Sequence, residues 1–164
     1  MPLPTRTLPL LLMLWSFDSD IVLSQTISAT AATGPVLLPG AHASADWAGL
    51  LSVNLQRGAV GARLEGMYTG VPGADLVALT GNLVWIFQGT GPSEVEPYLI
   101  AGIGSYVKYS ESRFGVNAGL GVRRRAGPLR LVAEVRVHRV TRRFEEARDA
   151  ATFIPLLVGV TVGR

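Results

Sequence analysis

The sequence has no cysteine, little charge and no long apolar run, and these absences exclude several kinds of structure and site. Without cysteine, disulfides and thiolate-bound metals are excluded. The longest apolar run, Leu8–Trp15, is much shorter than the roughly 18 to 20 residues that a membrane-spanning helix requires. Nevertheless 48 % of the residues are hydrophobic and only 16 % are charged. This combination is typical of transmembrane β-strands, and soluble all-β proteins share it, so composition leaves both open.

Apolar and polar residues alternate through most of the stretch from Phe114 to His138. Aliphatic residues take one parity, while glycines and charged residues take the other, and Ala126-Gly127-Pro128 interrupts the pattern once. Because successive side chains of a strand point to opposite faces, this period of two predicts two strands joined by a tight turn. One face is aliphatic and the other is charged, which predicts that the aliphatic face contacts lipid.

The same period of two recurs in eight segments of the chain. Most of them exceed the five or six residues usual in soluble proteins and match the roughly 9 to 11 residues that cross a bilayer at a tilt. We therefore predict an all-β, eight-stranded antiparallel up-and-down transmembrane β-barrel. The predicted strands are Gln25–Ala32, Ala45–Leu55, Ala59–Thr69, Leu76–Phe87, Val95–Lys108, Phe114–Arg125, Leu129–Arg142 and Thr152–Gly163.

The predicted connections differ between the two ends of the barrel. One end has tight turns at Gln56-Arg57-Gly58 and Ala126-Gly127-Pro128, with a longer link at Gln88–Glu94. Because outer-membrane barrels carry their longer loops outside, this end is predicted to face the periplasm. The predicted outer loops are Thr33–Ser44, Gly70–Asp75, Tyr109–Arg113 and Phe144–Ala151.

Aromatic residues are predicted to form a belt at each end, since an amphipathic ring is most stable at head-group depth. The predicted outer belt consists of Trp47, Tyr68, Tyr109, Phe114, Phe144 and Phe153. The predicted periplasmic belt consists of Trp85, Phe87 and Tyr98.

The polar face of the predicted strands brings charges of both signs into the lumen. An eight-stranded barrel is only wide enough for its side chains to fill, and an unpaired charge there is costly. We therefore predict a lumen plugged by ion pairs that run between strands, and no conducting pore. The predicted network consists of Arg63, Glu65, Glu96, Arg123, Glu134 and Arg136.

Four segments of the second half carry a resemblance to a known family: Glu96–Gly104, Phe114–Arg123, Leu131–His138 and Phe153–Val160. In pattern and spacing they resemble the outer-membrane β-barrel family, the small eight-stranded barrels of the OmpA and OmpX type. The resemblance implies a location in the bacterial outer membrane and a structural or surface-interaction role. It implies no particular ligand.

A soluble, lipocalin-like carrier of a small apolar ligand is the alternative, because lipocalins also have eight strands. Such a carrier requires an apolar cavity inside its barrel. The chain instead has Arg123, Glu134 and Arg136 at inward positions. The charged face therefore favours the membrane barrel.

No catalytic, cofactor or metal site is predicted, and the chain is predicted not to be an enzyme. A general base at His138 oriented by Glu134 is the sharpest catalytic hypothesis, but no serine or second histidine stands beside it, so packing in the lumen is favoured. His42 is alone in its loop, whereas a metal site needs further ligands. Gly102-x-Gly104 and Gly119-x-Gly121 lack the third glycine and the following helix of a nucleotide-binding loop.

Arginines near the last predicted outer loop have two interpretations. Arg139, Arg142 and Arg143 either pair locally with Glu145 and Glu146, or bind the phosphates of lipopolysaccharide, which suit the forked guanidinium. Membrane lipid is accordingly the predicted partner. The formal net charge of +3 is too small and too dispersed along the sequence to indicate nucleic acid.

Residues 1–24 are predicted to be an export signal of atypical composition. Arg6 precedes the apolar run, and Val22 and Ser24 supply small residues near a cleavage point, although Asp18 and Asp20 are unusual there. Residues 25–164 are predicted to form a single barrel domain.

Overall fold

The computed structural model describes residues 25–39, 46–71, 74–87, 95–108, 110–141 and 152–163. The predicted export signal, residues 1–24, lies outside these residues. Among the described residues, no helix is long and apolar enough to span a membrane. The strands are β1 Thr26–Leu37, β2 Asp46–Arg57, β3 Val60–Val71, β4 Ala74–Ile86, β5 Val95–Lys108, β6 Glu111–Ala126, β7 Leu129–Val140 and β8 Thr152–Gly163.

The eight strands form one closed ring. Each strand pairs antiparallel with the next, and β8 pairs with β1. Closure leaves no edge with unpaired backbone groups, as a sheet within lipid requires. The shortest strands have 12 residues and the longest, β6, has 16, which is enough to cross a tilted bilayer. The predicted all-β, eight-stranded up-and-down barrel is confirmed.

One end of the barrel, here the termini end, contains the start of β1, the end of β8 and the β2–β3, β4–β5 and β6–β7 connections. Two of these connections are the predicted tight turns. Gly58 (φ 58°) and Gly127 (φ 64°) adopt the left-handed conformation that such turns need. The predictions at these positions are confirmed.

At the opposite end, here the distal end, two connections are shorter than the sequence predicts. β3 and β4 stay paired up to Val71 and Ala74, and β5 and β6 stay paired up to Lys108 and Glu111. The longer loops predicted at Gly70–Asp75 and Tyr109–Arg113 are therefore wrong. Strand pairing continues through residues that the sequence pattern assigns to loops.

β1 also extends beyond its prediction. It continues to Leu37 through Gly34 and Pro35, which the sequence placed in a loop. Pro35 is the register partner of Trp47 on β2. The pairing between β1 and β8 is interrupted at Pro35, so the proline, which has no N–H, removes no hydrogen bond from that ladder. A Cβ on Gly34 would lie 1.8 Å from the carbonyl oxygen of Leu156, so glycine is required for the approach of β1 to β8.

The outside of the barrel is covered by aliphatic side chains across its middle. The aliphatic face predicted between Phe114 and His138 points outward on β6 and β7, which confirms the predicted parity, and β4 and β5 show the same alternation. This surface is an apolar belt. Exposing so much apolar surface to water is unfavourable, whereas the hydrocarbon core of a lipid bilayer is a suitable environment for it. The large exposed aliphatic residues described on these strands are Val77, Leu79, Leu83, Val95, Leu99, Ile103, Val107, Val116, Leu120, Val122, Leu129, Leu131 and Val137.

The aromatic belts agree with the sequence at five positions. Exposed aromatic residues at the distal end are Trp47, Tyr68 and Phe114, and those at the termini end are Trp85 and Phe87. Phe153 and Tyr98 were assigned to belts and are instead buried inside the barrel. Their inward parity on the strand decides their place, even though both lie near strand ends. Tyr109 and Phe144 lie outside the described residues.

The lumen is filled in layers. Near the distal end an apolar cluster packs around the ring of Tyr106, and near the termini end a smaller one packs around Tyr98. Charged side chains occupy the layer between them. The larger cluster contains Ala32, Val36, Ala48, Leu50, Met67, Leu76, Ala78, Tyr106, Val140, Phe153 and Leu157. The smaller contains Val84, Ile86, Tyr98, Ile100 and Val132.

Candidate functional site: the charged lumen

A buried ion-pair network crosses the lumen between β3 and β7. The Arg136 guanidinium on β7 donates to both oxygens of Glu65 on β3, with 2.7 Å from Nη2 to Oε2, and its Nε donates to Glu134. Arg63 Nη1 donates to Glu134 Oε2 at 2.8 Å. Two carboxylates thus balance two guanidinium groups, and none of the four side chains is more than 8 % exposed.

Neutral side chains complete the hydrogen bonds of this network. The Tyr98 hydroxyl donates to Glu134 Oε2 at 2.5 Å, and Thr80 Oγ1 donates to Glu65 Oε1 at 3.0 Å. Arg63 Nε donates to Asn54 Oδ1 at 2.6 Å. These contacts satisfy lone pairs that a bare ion pair would leave unpaired, which is what keeps a buried pair from being destabilising.

Glycines on β6 provide the space for the long side chains of β7. Gly119 is the register partner of Arg136, and Gly121 is that of Glu134. A Cβ on Gly119 would lie 2.6 Å from the Arg136 Cγ, and one on Gly121 would lie 2.4 Å from the Tyr98 ring. The alternating glycines of β6 therefore shape the lumen for one arginine and one tyrosine.

A second ion pair lies apart from this network, at the termini end. Arg123 Nε donates to Glu96 Oε2 at 2.6 Å, and its Nη1 donates to Gln56 Oε1 at 2.7 Å across the opening. The six residues predicted as one network are thus found in two groups, with Arg63, Glu65, Glu134 and Arg136 in the first. The sequence pattern did not predict that the neutral side chains of Tyr98, Asn54 and Thr80 hydrogen-bond to these charges. Their inward parity on the strands could have indicated it.

Little space remains inside the barrel near the termini end. A cavity of about 30 Å³ is lined by Asn54, Arg63, Tyr98 and Arg123, among others. That volume holds about two water molecules. It is too small for an organic ligand.

His138 has a packing role in the described structure. Its ring is stacked on Phe153 with centroids 4.7 Å apart, and its Nδ1 lies 2.9 Å from the Tyr106 hydroxyl. His138 is fully buried, and no group of metal-ligating side chains occurs among the described residues. His42 lies outside them.

The surface arginines are distributed differently from the prediction. Arg139 is exposed on the lipid-facing parity at the distal end, whereas Arg142 and Arg143 lie outside the described residues, as do Glu145 and Glu146. Among the described residues, five arginines lie together at one end of the barrel. They are Arg57, Arg123, Arg124, Arg125 and Arg130, all at the termini end.

Solved structures share this architecture at low sequence identity. Neisserial surface protein A has a TM-score of 0.68 and 15 % identity, over 86 % of this chain and 97 % of that one. The protein has the fold of the small eight-stranded outer-membrane barrels. The N-terminal β-barrel domain of Pseudomonas aeruginosa OprF has a TM-score of 0.56 and 12 % identity, over 85 % and 97 % of the two chains.

The outer membrane enzyme PagL shares the barrel as well, with a TM-score of 0.51 and 12 % identity over 82 % of this chain and 98 % of that one. No protein-family model matches the chain, and a comparison with curated proteins finds no match. At these identities the likeness shows the fold, and the lipid-matched exterior agrees with the predicted outer-membrane location. The protein is a membrane-spanning β-barrel.

Proposed function

We propose that this outer-membrane barrel has a structural or surface-interaction role, with a lumen closed by charged side chains and without catalysis. The observation that carries the proposal is the network of Arg63, Glu65, Glu134 and Arg136 at mid-height, where every charge has a buried partner. Apolar clusters lie on both sides of it. Such an interior supports neither ion flow nor ligand storage.

The lipocalin-like alternative does not fit the described residues. A soluble carrier needs a polar exterior and an apolar cavity, whereas this exterior carries the aliphatic belt and the cavity near Tyr98 has room only for water.

Catalysis is the second alternative, because PagL is described as an enzyme. In the described part of this chain the histidine is His138, whose Nδ1 contacts the Tyr106 hydroxyl inside the sealed lumen. A general base must reach its substrate, and this ring is enclosed. The non-enzymatic role therefore remains the better supported proposal.

Recording from planar bilayers tests the closed lumen. The refolded protein is first checked for heat-modifiable migration on a gel, so that only folded barrels are measured. We expect no steady conductance steps in concentrated potassium chloride. Stable, reproducible steps from the folded protein would contradict the plug.

Lipopolysaccharide is the surface ligand that we propose for Arg139, Arg142 and Arg143. Arg139 is exposed at the rim of the belt, where an arginine reaches head-group phosphates. Changing all three to Gln should weaken lipopolysaccharide binding in a pull-down while the barrel still folds. Arg113, at the same end but paired with Glu111, changed to Gln is the control. Unchanged binding by the triple variant would refute the contact.

A further inference from the structure

The strongest charge imbalance of the described structure lies at the termini end. Arg57 is the last residue of β2, at the β2–β3 turn, and Arg123, Arg124, Arg125 and Arg130 belong to the β6–β7 hairpin. The hydrogen bond from Arg123 to Gln56 links these two connections across the opening of the barrel. We call this group of five residues the arginine end.

Within the part of the chain that the structure describes, acidic side chains do not compensate for the arginine end. Among the described residues there, Glu96 is the acid, and it is already paired with Arg123. Elsewhere the described charges balance, because each positive group has a negative counterpart at the same height. The mid-height layer contains Arg63 and Arg136 with Glu65 and Glu134, and the distal end contains Lys108, Arg113 and Arg139 with Asp46, Asp75 and Glu111. The excess positive charge of the described barrel is therefore confined to one end.

Two of these arginines face each other directly. Arg125 and Arg130 are register partners on β6 and β7. Like charges at directly opposite positions destabilise a strand pair, because their Cβ atoms are only about 4.5–5.5 Å apart. Neither side chain has an ion-pair partner among the described residues. An anion between the two guanidinium groups would screen their repulsion and would be attracted by both.

The position of Arg124 indicates where that anion comes from. Arg124 has the lipid-facing parity, and its register partners are Val95 on β5 and Leu131 on β7. Both partners are exposed and belong to the edge of the apolar belt. Arg57 likewise follows the exposed Leu55 on β2. Arg57 and Arg124 thus extend the lipid-facing surface beyond the edge of the apolar belt, next to the hairpin end that carries Arg125 and Arg130.

We propose that the arginine end binds the phosphates of anionic phospholipids in the adjacent leaflet of the membrane. The guanidinium fork suits a phosphate, and the side chain can extend from the belt to the head groups. Each arginine close to an anionic surface increases association about fivefold. The inference rests on the proposed membrane placement, and it adds that the termini end of the barrel prefers anionic to neutral lipids.

Spin-labelled lipids provide the test with the full-length barrel in vesicles. The wild type is refolded in phosphatidylcholine vesicles, and the association of spin-labelled phosphatidylglycerol is compared with that of spin-labelled phosphatidylcholine at low and high salt. The test variant is R124Q/R125Q/R130Q. Two single variants, R124Q and R139Q, are matched, because each removes one outward-facing arginine at opposite ends of the barrel.

We expect the wild type to prefer phosphatidylglycerol several-fold at low salt, and less at high salt because the contact is electrostatic. The triple variant should fold equally well and lose most of this preference. R124Q should reduce it more than R139Q does. Equal association of the two lipids with the wild type, or an unchanged preference in the triple variant, would overturn the proposal.

An acidic peptide is the other anion that the arginine end could accept, and polyglutamate serves as its probe. Binding of polyglutamate to the wild type in phosphatidylcholine vesicles, without any preference for phosphatidylglycerol, would overturn the lipid assignment. A barrel that does not fold in phosphatidylcholine vesicles would refute the membrane placement itself. A folded barrel without lipid preference would refute only this inference.

Discussion

Arg136 shows how a barrel of this width holds a permanent charge in its centre. Its guanidinium contacts Glu65 and Glu134, and its aliphatic stem lies against Gly119. The parity of the strands was sufficient to predict which charges point inward. Strand parity could not predict which carboxylate pairs with which arginine. The ion pair of Arg63 with Glu134, for example, joins β3 to β7, two strands that are not neighbours in the sheet.

Glu134→Ala is the sharpest test at the scale of a residue. The change removes the acceptor of Arg63, Tyr98 and Arg136 and leaves buried positive charge unbalanced. The free energy of unfolding should fall by about 3 to 5 kcal/mol, as measured by urea titration in vesicles. Glu96→Ala is the control: this carboxylate is 37 % exposed, so its loss should cost at most about 1 kcal/mol. Equal stability of Glu134→Ala and the wild type would mean that the network does not hold the lumen together.

In β6, small residues in the sequence lie where large side chains of neighbouring strands pack. Its inward positions carry Gly115, Gly119 and Gly121, which lie against Tyr106, Arg136 and Tyr98. The sequence shows these glycines as one polar face. Only the closed ring shows that they accommodate two aromatic rings and the stem of an arginine from the strands on either side.

Gly121→Ala should therefore destabilise the barrel through β6. The new methyl group would lie 2.4 Å from Tyr98 Cζ, which must move away from Glu134. Overpacking of this kind typically costs about 1 to 3 kcal/mol. Gly66→Ala, at an outward position with nothing within 4 Å, is the matched control and should be close to neutral. Equal urea midpoints for the two variants would show that Tyr98 adapts without loss.

Other features of the elements were harder to predict. Gly34 and Pro35 are common loop residues, yet contacts with β8 and β2 keep them in β1. Tyr98 and Phe153 lie near strand ends, where aromatic belts are expected, yet their parity places them inside. In each case a contact distant in sequence overrides a local preference, and such contacts leave no mark in a single sequence.

At the scale of the whole molecule, the apolar belt predicts how the barrel responds to a charge on its outside. Leu120 is exposed near the middle of β6, so Leu120→Arg should lower the free energy of unfolding in vesicles by about 2 to 4 kcal/mol. Leu55→Arg, near the termini end of β2, should cost about 0 to 1 kcal/mol because the side chain reaches the head groups. Equal costs at the two depths would contradict the membrane placement.

The seam between β1 and β8 has a consequence for assembly. The hydroxyl groups of Thr30 and Thr161 meet at 2.7 Å although 131 positions separate them in the chain, whereas every other pairing joins consecutive strands. Local hairpins close at low entropic cost, and the seam requires the largest loop closure of all. Until it forms, two strands expose unsatisfied backbone groups that hydrocarbon does not tolerate. An open ring is therefore unstable in the bilayer, and the barrel becomes stable there only when the first and last strands of the chain meet.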